Sequence, residues 1–281
     1  MQQERVLIKG AGDLASGVAH RLFQCGVVPI MTELAEPLVV RRRVSFAEAV
    51  YQGETTVEGV KALRVKTADE AIAWQERGVI PVLVDPDDRS LESLKPTYYV
   101  EATIRKRNDG LTKDKAPFVI ALGPGFCAGK DVHAVVETKR GHDLGRVIYQ
   151  GYAIADTGIP GEVGGYRQER LLRAPVSGVF SACREIGDQV TKGESVGTVD
   201  GQPVNAQIAG IVRGLVKDGI SVTAGLKIGD VDPRLERAYC YTISDKARAI
   251  GGGVLEAMLH FAMLRNNIEK NTHRPQPIRS S

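Results

Sequence analysis

The sequence predicts an α/β chain that carries a second, β-rich unit, and three observations point to it. The first 33 residues read as a strand, a glycine turn, a helix and a second strand. Apolar runs and helical patterns then alternate as far as Tyr149. From Ala174 to Asp232 the sequence repeats itself at a constant offset of 32 residues, Gly178 falling on Gly210 and Gly193 on Gly225. Alternation of this kind signals a doubly wound sheet, and a fixed period signals repeated architecture.

Each element has its own local reason. Val6 to Ile8 is a short apolar run, the mark of a buried strand, and it enters Gly10-Ala11-Gly12. Leu14 to Gln24 places Leu14, Val18, Leu22 and Phe23 on one side of a helix that Gly26 ends. Val27 to Met31 is a second buried strand. Ala68 to Glu76 reads as a helix, and Val79 to Val84 and Tyr98 to Ile104 as strands. Phe118 to Leu122 is another strand, running into Gly123-Pro124-Gly125. Val132 to Glu137 and Arg146 to Tyr149 read as strands on either side of Arg140-Gly141-His142. Residues 1–156 are thus expected to form a Rossmann-like domain, with residues 157–169, rich in Gly and Pro, as a linker.

In the repeat, Ala174, Gly187, Gly197 and Asp200 match Ala206, Gly219, Gly229 and Asp232. Each half has the order strand, turn, strand, with Gly where the chain needs positive φ or close approach. This pattern resembles the barrel-sandwich hybrid of biotinyl and lipoyl carrier domains, expected here over residues 170–234. Such carriers bear a modified lysine on the hairpin joining the halves. Here that segment is Val199-Asp200-Gly201-Gln202-Pro203, and no Lys lies between Gly193 and Val216. Biotin and lipoate are therefore not expected, and the unit is read as a scaffold or docking module. Residues 235–264 are expected to return to the core as a strand and a helix, and the polar stretch 265–281 to be a flexible tail.

Composition excludes several classes. Hydrophobic residues at 43% and charged residues at 25% are the balance of a globular protein. A net charge of +3 without a long basic run argues against nucleic acid as a partner. Arg41-Arg42-Arg43, the densest basic cluster, reads as a solvated loop or helix face. There is no window of about 20 apolar residues, so no membrane span is expected, and MQQERVLIKG does not read as a secretion signal. Cys25, Cys127, Cys183 and Cys240 show no metal-ligand spacing, which suits a cytoplasmic protein with reduced thiols and no metal site. Cys25, Cys183 and Cys240 are read as packing residues.

Three glycine-rich segments carry the candidate chemistry. Gly10-Ala11-Gly12-Asp13-Leu14-Ala15 fits the G-x-G-x-x-A fingerprint after a strand and before a helix, where backbone N–H groups and the helix dipole attract phosphate. Glu33, ending the next strand, stands where an acid meets a ribose hydroxyl. Asp13 works against this, since its carboxylate can cap the helix itself and repel a pyrophosphate. A nucleotide-free scaffold and a nucleotide or related phosphorylated cofactor therefore both stay open. The second segment, Gly123-Pro124-Gly125-Phe126-Cys127-Ala128-Gly129-Lys130-Asp131, looks like a ligand loop, but Pro124 and Asp131 break a Walker motif. Lys130, His133, Glu137, Arg140 and His142 are candidates to hold an anion, with surface ion pairs as the alternative. Cys127 beside Lys130 is a candidate reactive thiolate. The third segment, Gly251-Gly252-Gly253, reads as a loop before a helix over Val254 to Leu264, either an anion site or a tight chain crossing.

GAGDLASGVAHRLFQCG, ALGPGFCAGKDVHAVVETKRGHDLGRVI, ADTGIPGE and SDKARAIGGGVLEA, with the repeat between the last two, resemble the YqeB family from Arg5 to Leu264. The beginning also resembles the cofactor-inserting XdhC proteins. The resemblance implies a bacterial cytoplasmic accessory protein for the maturation of selenium-dependent molybdenum hydroxylases, with a hydroxylase as client. It also implies a role in making or inserting their molybdenum and selenium centre; with the glycine fingerprint, the expected ligand is a small phosphorylated one, NAD or another nucleotide, or molybdenum cofactor. Two alternatives stand beside it. One is an NAD-dependent oxidoreductase, which has the fingerprint and Glu33 but no Lys/His or Tyr/Lys catalytic arrangement. The other is a scaffold that docks the client without catalysis. Whether the chain forms an oligomer is left open.

Overall fold

The computed structural model describes residues 4–272. The chain opens with β1 (Val6–Lys9), helix α1 (Asp13–Gln24) and β2 (Ile30–Glu33). Pro29 has no N–H to donate, and strand pairing begins one residue after it, later than the apolar run suggested. A short helix α2 (Glu48–Gln52) leads into the hairpin β3 (Glu54–Val57) and β4 (Val60–Val65). Glu58 and Gly59 both have positive φ there, the signature of a two-residue hairpin turn. Helix α3 (Ala68–Glu76), β5 (Ile80–Val84), the one-turn helix α4 (Leu91–Leu94), β6 (Tyr98–Glu101) and β7 (Phe118–Leu122) follow. Short strands β8 (Cys127–Ala128), β9 (Ala134–Val136), β10 (Val147–Ile148) and β11 (Gly151–Tyr152) complete this unit.

Nine of these strands form one sheet in the order β10-β9-β7-β6-β1-β2-β5-β4-β3. The strands from β9 to β4 run parallel, whereas β3 and β10 are antiparallel edges. The central strands are buried on both faces, so they read as continuous apolar runs rather than alternating ones.

The β-rich unit contains β12 (Leu171–Arg173), β13 (Gly178–Ala182), β14 (Gln189–Val190), β15 (Ser195–Val199), β16 (Gln202–Asn205), β17 (Gly210–Leu215), β18 (Ser221–Val222) and β19 (Lys227–Asp232). They make two four-stranded antiparallel sheets, β12-β19-β17-β14 and β16-β15-β13-β18. The 32-residue offset maps β13 to β15 onto β17 to β19. Phe180, Val196, Val212 and Ile228 build a core of their own between them.

The expected fold, a Rossmann-like domain joined to a barrel-sandwich hybrid, is corrected by this pairing. The large sheet is mixed and nine-stranded because a half-exposed hairpin and a short antiparallel strand extend its edges. The β-rich segment is two separate antiparallel sheets.

Helix α5 (Asp245–Thr272) returns to the first unit and packs on α1. Gly251-Gly252-Gly253 lies inside this helix and not in a loop before it. Glycine weakens a helix interior by about 1 kcal/mol, and close packing explains two of the three, Gly251 against α1 and Gly253 against the segment of Val136 and Gly145. A Cβ on Gly251 would stand 3.0 Å from the Gly17 carbonyl oxygen, and one on Gly253 would stand 2.8 Å from Val136. On the facing helix a Cβ on Gly17 would lie 2.6 Å from that of Ala247. The helix continues to Thr272, through the beginning of the stretch expected to be a tail; the rest of that stretch lies outside the described residues.

Candidate functional site

The carboxyl ends of β1, β2, β5 and β6 open on a cleft of about 560 Å³, lined among others by Gly10, Gly12, Asp13, Glu33, Thr103 and Lys227. The chain leaves β1 on one side through β2 and returns on the other with β6. Ligands of open α/β sheets bind at such a reversal.

The turn that forms the cleft floor is held rigidly. Gly10 has φ +95°, a conformation that requires glycine, and its N–H donates to the Thr32 carbonyl. The Ala11 carbonyl accepts from the buried Ser16 hydroxyl (3.0 Å) and from the Ala47 N–H (2.9 Å). Glu33 accepts from the Ala11 N–H at 2.7 Å and from the Leu34 N–H at 2.8 Å. Burial raises the Glu33 carboxyl above the ordinary range, and these two N–H groups oppose that shift. Gly12 differs from Gly10. Its φ is −65°, which any residue adopts, no side chain caps the helix there, and a Cβ would meet only Val39 at 3.8 Å.

The second wall comes from the β-rich unit. The Val40 carbonyl accepts from the Leu215 N–H (2.8 Å), and Arg42 Nε donates to the Leu215 carbonyl (2.9 Å). A Cβ on Gly214 would stand 2.7 Å from Val40, so glycine lets β17 close on this segment. Arg41, between them, is buried with 9% exposure and donates through Nη2 to the carbonyls of Tyr239 (2.9 Å) and Thr242 (3.3 Å). The reading of Arg41-Arg42-Arg43 as a solvated face is thereby corrected: only Arg43 is exposed. Burial lowers the Arg41 guanidinium from its ordinary value, and neighbouring Arg213 adds to that.

The loop beginning Gly123-Pro124-Gly125 reaches the cleft only indirectly. Gly123 has φ +87°, and a Cβ there would stand 2.9 Å from Thr138 Oγ1. A Cβ on Gly125 would fall 2.9 Å from the Arg105 carbonyl carbon and 3.0 Å from the Arg107 nitrogen. These glycines let the loop brace the segment after β6, whose residues Ala102 to Arg105 line the cleft.

The residues following that loop have separate partners. Glu137 is 1% exposed and accepts from the N–H groups of Lys139 and Ile154, both at 2.7 Å. His133 Nδ1 accepts from the Val119 N–H (2.9 Å), and the ring stacks on Phe118. Burial lowers the His133 imidazole, and Lys113 adds to that. Arg140 grips Asp245 with two bonds of 2.6 and 2.7 Å, whereas Lys130 and His142 are exposed. Glu137, His133 and Arg140 are thus each engaged by the protein's own atoms. Cys127 pairs with Tyr152 across β8 and β11, its Sγ 3.6 Å from the Ala128 carbonyl. Cys25 and Cys183 are exposed, which corrects their reading as packing residues; Cys240 is buried. Among the described residues no group of three or more His, Cys, Asp or Glu side chains is placed to hold a metal.

Sequence reasoning missed Lys9, Arg41, Arg105 and Lys227 as lining residues. Lys9 is paired to buried Asp88 at 2.9 Å, and Arg105 to Asp109. Only Lys9, one residue before the fingerprint, carried a positional signal.

The site is thus a ligand-sized cleft at the carboxyl edge of a largely parallel sheet, walled on one side by a repeat unit. A protein of Escherichia coli (strain K12) named YqeB is 51% identical over 254 residues, which are 90% of this chain and 47% of that protein. This match supports the YqeB family over the stretch compared, and the chain spans about half the length of that curated relative. No family model matches. Among solved structures, similar chains include an aspartoacylase family protein from Mesorhizobium loti MAFF303099 (11% identity, 82% of this chain and 85% of that one, TM-score 0.27). Another is the apo ectoine utilization protein EutE (DoeB) from Ruegeria pomeroyi (12% identity, 82% and 86%, TM-score 0.25). Likenesses at this level say nothing about the site. No helix among the described residues is long and apolar enough to cross a membrane.

Proposed function

We propose that this chain binds a small phosphorylated ligand, a nucleotide or related cofactor, in the cleft beside Gly12. We further propose that it serves as a cytoplasmic accessory protein in the maturation of selenium-dependent molybdenum hydroxylases, handing that ligand to a hydroxylase client. The binding half of this reading is carried by Gly12. Nothing in the fold asks for glycine there: φ is ordinary and the Cβ position faces open space. A missing side chain that the protein does not need for packing leaves the first N–H groups of α1 open to a ligand, and these groups attract an anion. The polar turn, the apolar lining of Leu34, Leu38, Val39 and Ile104, and the volume suit a molecule of nucleotide size. The maturation half is supported by the family resemblance.

Native mass spectrometry of protein purified anaerobically from a host that makes molybdenum cofactor tests both. A stoichiometric phosphorylated ligand is expected, lost in Gly12→Glu, whose side chain would enter the cleft. An empty wild-type protein overturns the binding half. A bound nicotinamide nucleotide that turns over as a hydride carrier replaces the accessory role with that of an oxidoreductase.

A further inference from the structure

Resting on that reading, we infer that Arg41 and Lys227 form an oxyanion subsite in the wall of the cleft where the β-rich unit meets it. A phosphate group of the ligand would there be held by both units of the protein at once. Neither residue belongs to the glycine fingerprint, and Lys227 comes from β19 of the repeat unit.

Orphaned hydrogen-bonding capacity is the first argument. Arg41 is nine-tenths buried and lines the cleft, and its Nε has no partner. Buried polar atoms are nearly always satisfied, and an exception calls for a missing ion or water. A second orphaned donor, Arg170 Nε, lies close to Lys227 through the shared carboxylate of Asp230. Lys227 itself donates no hydrogen bond among the described residues. Its nearest carboxylate is Asp230 at 3.9 Å, already bound by Arg170.

Charge is the second argument. The cleft is lined by four cations, Lys9, Arg41, Arg105 and Lys227, and three acids, Asp13, Glu33 and Asp85. Lys9 and Arg105 are spent on Asp88 and Asp109, Asp85 on the N–H groups of Arg89 and Ser90, and Glu33 on the glycine turn. Arg41 and Lys227 remain, against Asp13 in the lining and Asp230 behind it, the latter already held by Arg170. Asp13 is also within electrostatic range of Lys246, so its repulsion toward an anion is offset by three cations. Burial, reinforced by Arg170 and Arg41 although opposed by Asp230 and Asp13, lowers Lys227 from the ordinary lysine value. A bound anion reverses that penalty.

Geometry then orients the ligand. Its phosphate lies between the start of α1 and the Arg41–Lys227 wall. Calorimetric titration of the full chain with inorganic phosphate and with pyrophosphate tests this in wild type, Lys227→Gln, Gly12→Glu and, as an exposed control, Lys130→Gln. Pyrophosphate is expected to bind wild type and Lys130→Gln alike. Lys227→Gln should bind at least about tenfold more weakly, as for a lost charge-assisted contact, with an unchanged melting temperature. Lys227→Met serves in its place if that variant misfolds. Wild-type affinity in Lys227→Gln together with loss in Gly12→Glu overturns the subsite and leaves the glycine-turn reading standing. A wild-type protein that binds neither anion also overturns the subsite, and the native mass spectrum then decides the glycine turn on its own.

Discussion

Gly12 and Gly125 look alike in sequence and do opposite things. Each belongs to a glycine-rich turn that follows a buried strand of the same sheet, and neither has a positive φ. The difference lies in what a Cβ would meet. At Gly12 it meets Val39 at 3.8 Å, an ordinary contact at the edge of open space. At Gly125 it runs into the backbone of Arg105 and Arg107. The first glycine leaves space for something the chain does not supply. The second lets two stretches of the chain touch. The same contrast extends to the charges nearby: Glu137 and Arg140 after Gly125 are tied to the protein's own atoms, whereas Arg41 beside the cleft keeps an unpartnered Nε although its Nη2 is held by two carbonyls.

The largest effect that would break this comparison is expected at Gly125. A methyl group there has backbone on two sides and no flexible neighbour to displace, so Gly125→Ala should cost about 2–3 kcal/mol, near the upper end for overpacking. In a domain of this size that corresponds to a fall in Tm of roughly 5–10 °C. Differential scanning calorimetry reads it directly. An unchanged Tm would mean that the loop is free to move, and would reopen it as a ligand loop.

What could be read in advance follows the same division between local and distant causes. Helix Ala68–Glu76 and strand Phe118–Leu122 stand where their patterns placed them, since apolar runs and helical periods are local properties. The edges of the sheet were not legible. Glu54-Thr55-Thr56-Val57 is half exposed and carries too weak an apolar pattern to announce a strand. Nor was Arg41 legible, because its burial depends on carbonyls of Tyr239 and Thr242, 198 and 201 residues away. Lys227 entered the cleft through the packing of one unit on the other, which no spacing rule encodes. Of the site, the glycine turn and Glu33 were visible from a motif, while the cationic wall was not.

A smaller effect is expected where Arg140 grips Asp245. This bond holds the Asp245 carboxyl at about 2, below its ordinary 3.8, through the Arg140 hydrogen bonds first, with burial opposing. A carboxyl lowered on folding stabilises the protein above its unfolded pKa, and the stabilisation disappears as pH falls through the folded value. The Asp245 side chain is 70% exposed, so solvent screening limits the contribution to roughly 0.5–1 kcal/mol. Urea midpoints of wild type and Arg140→Ala should therefore differ near about pH 5 and converge toward about pH 2. A difference that persists at the acid end would show that Arg140 stabilises through something other than this pair, and its assignment as a structural cation would fail.

The smallest change in stability should come with the largest change in binding, at Gly12. Serine is at home at a helix N-cap with extended backbone, where its hydroxyl accepts from the N–H groups of the first turn. Gly12 occupies that position with ψ −178° and no cap of its own. Gly12→Ser should leave stability the same or raise it by roughly a few tenths of a kcal/mol. The hydroxyl would take up the N–H groups that a phosphate needs, so pyrophosphate affinity should fall at the same time. A thermal melt and a titration on one sample measure both. A protein that gains its cap and keeps its affinity would show that the open position at Gly12 serves no ligand. A protein that gains the cap and loses the affinity would show that this helix start has been left uncapped at a small cost in stability, because the ligand completes it.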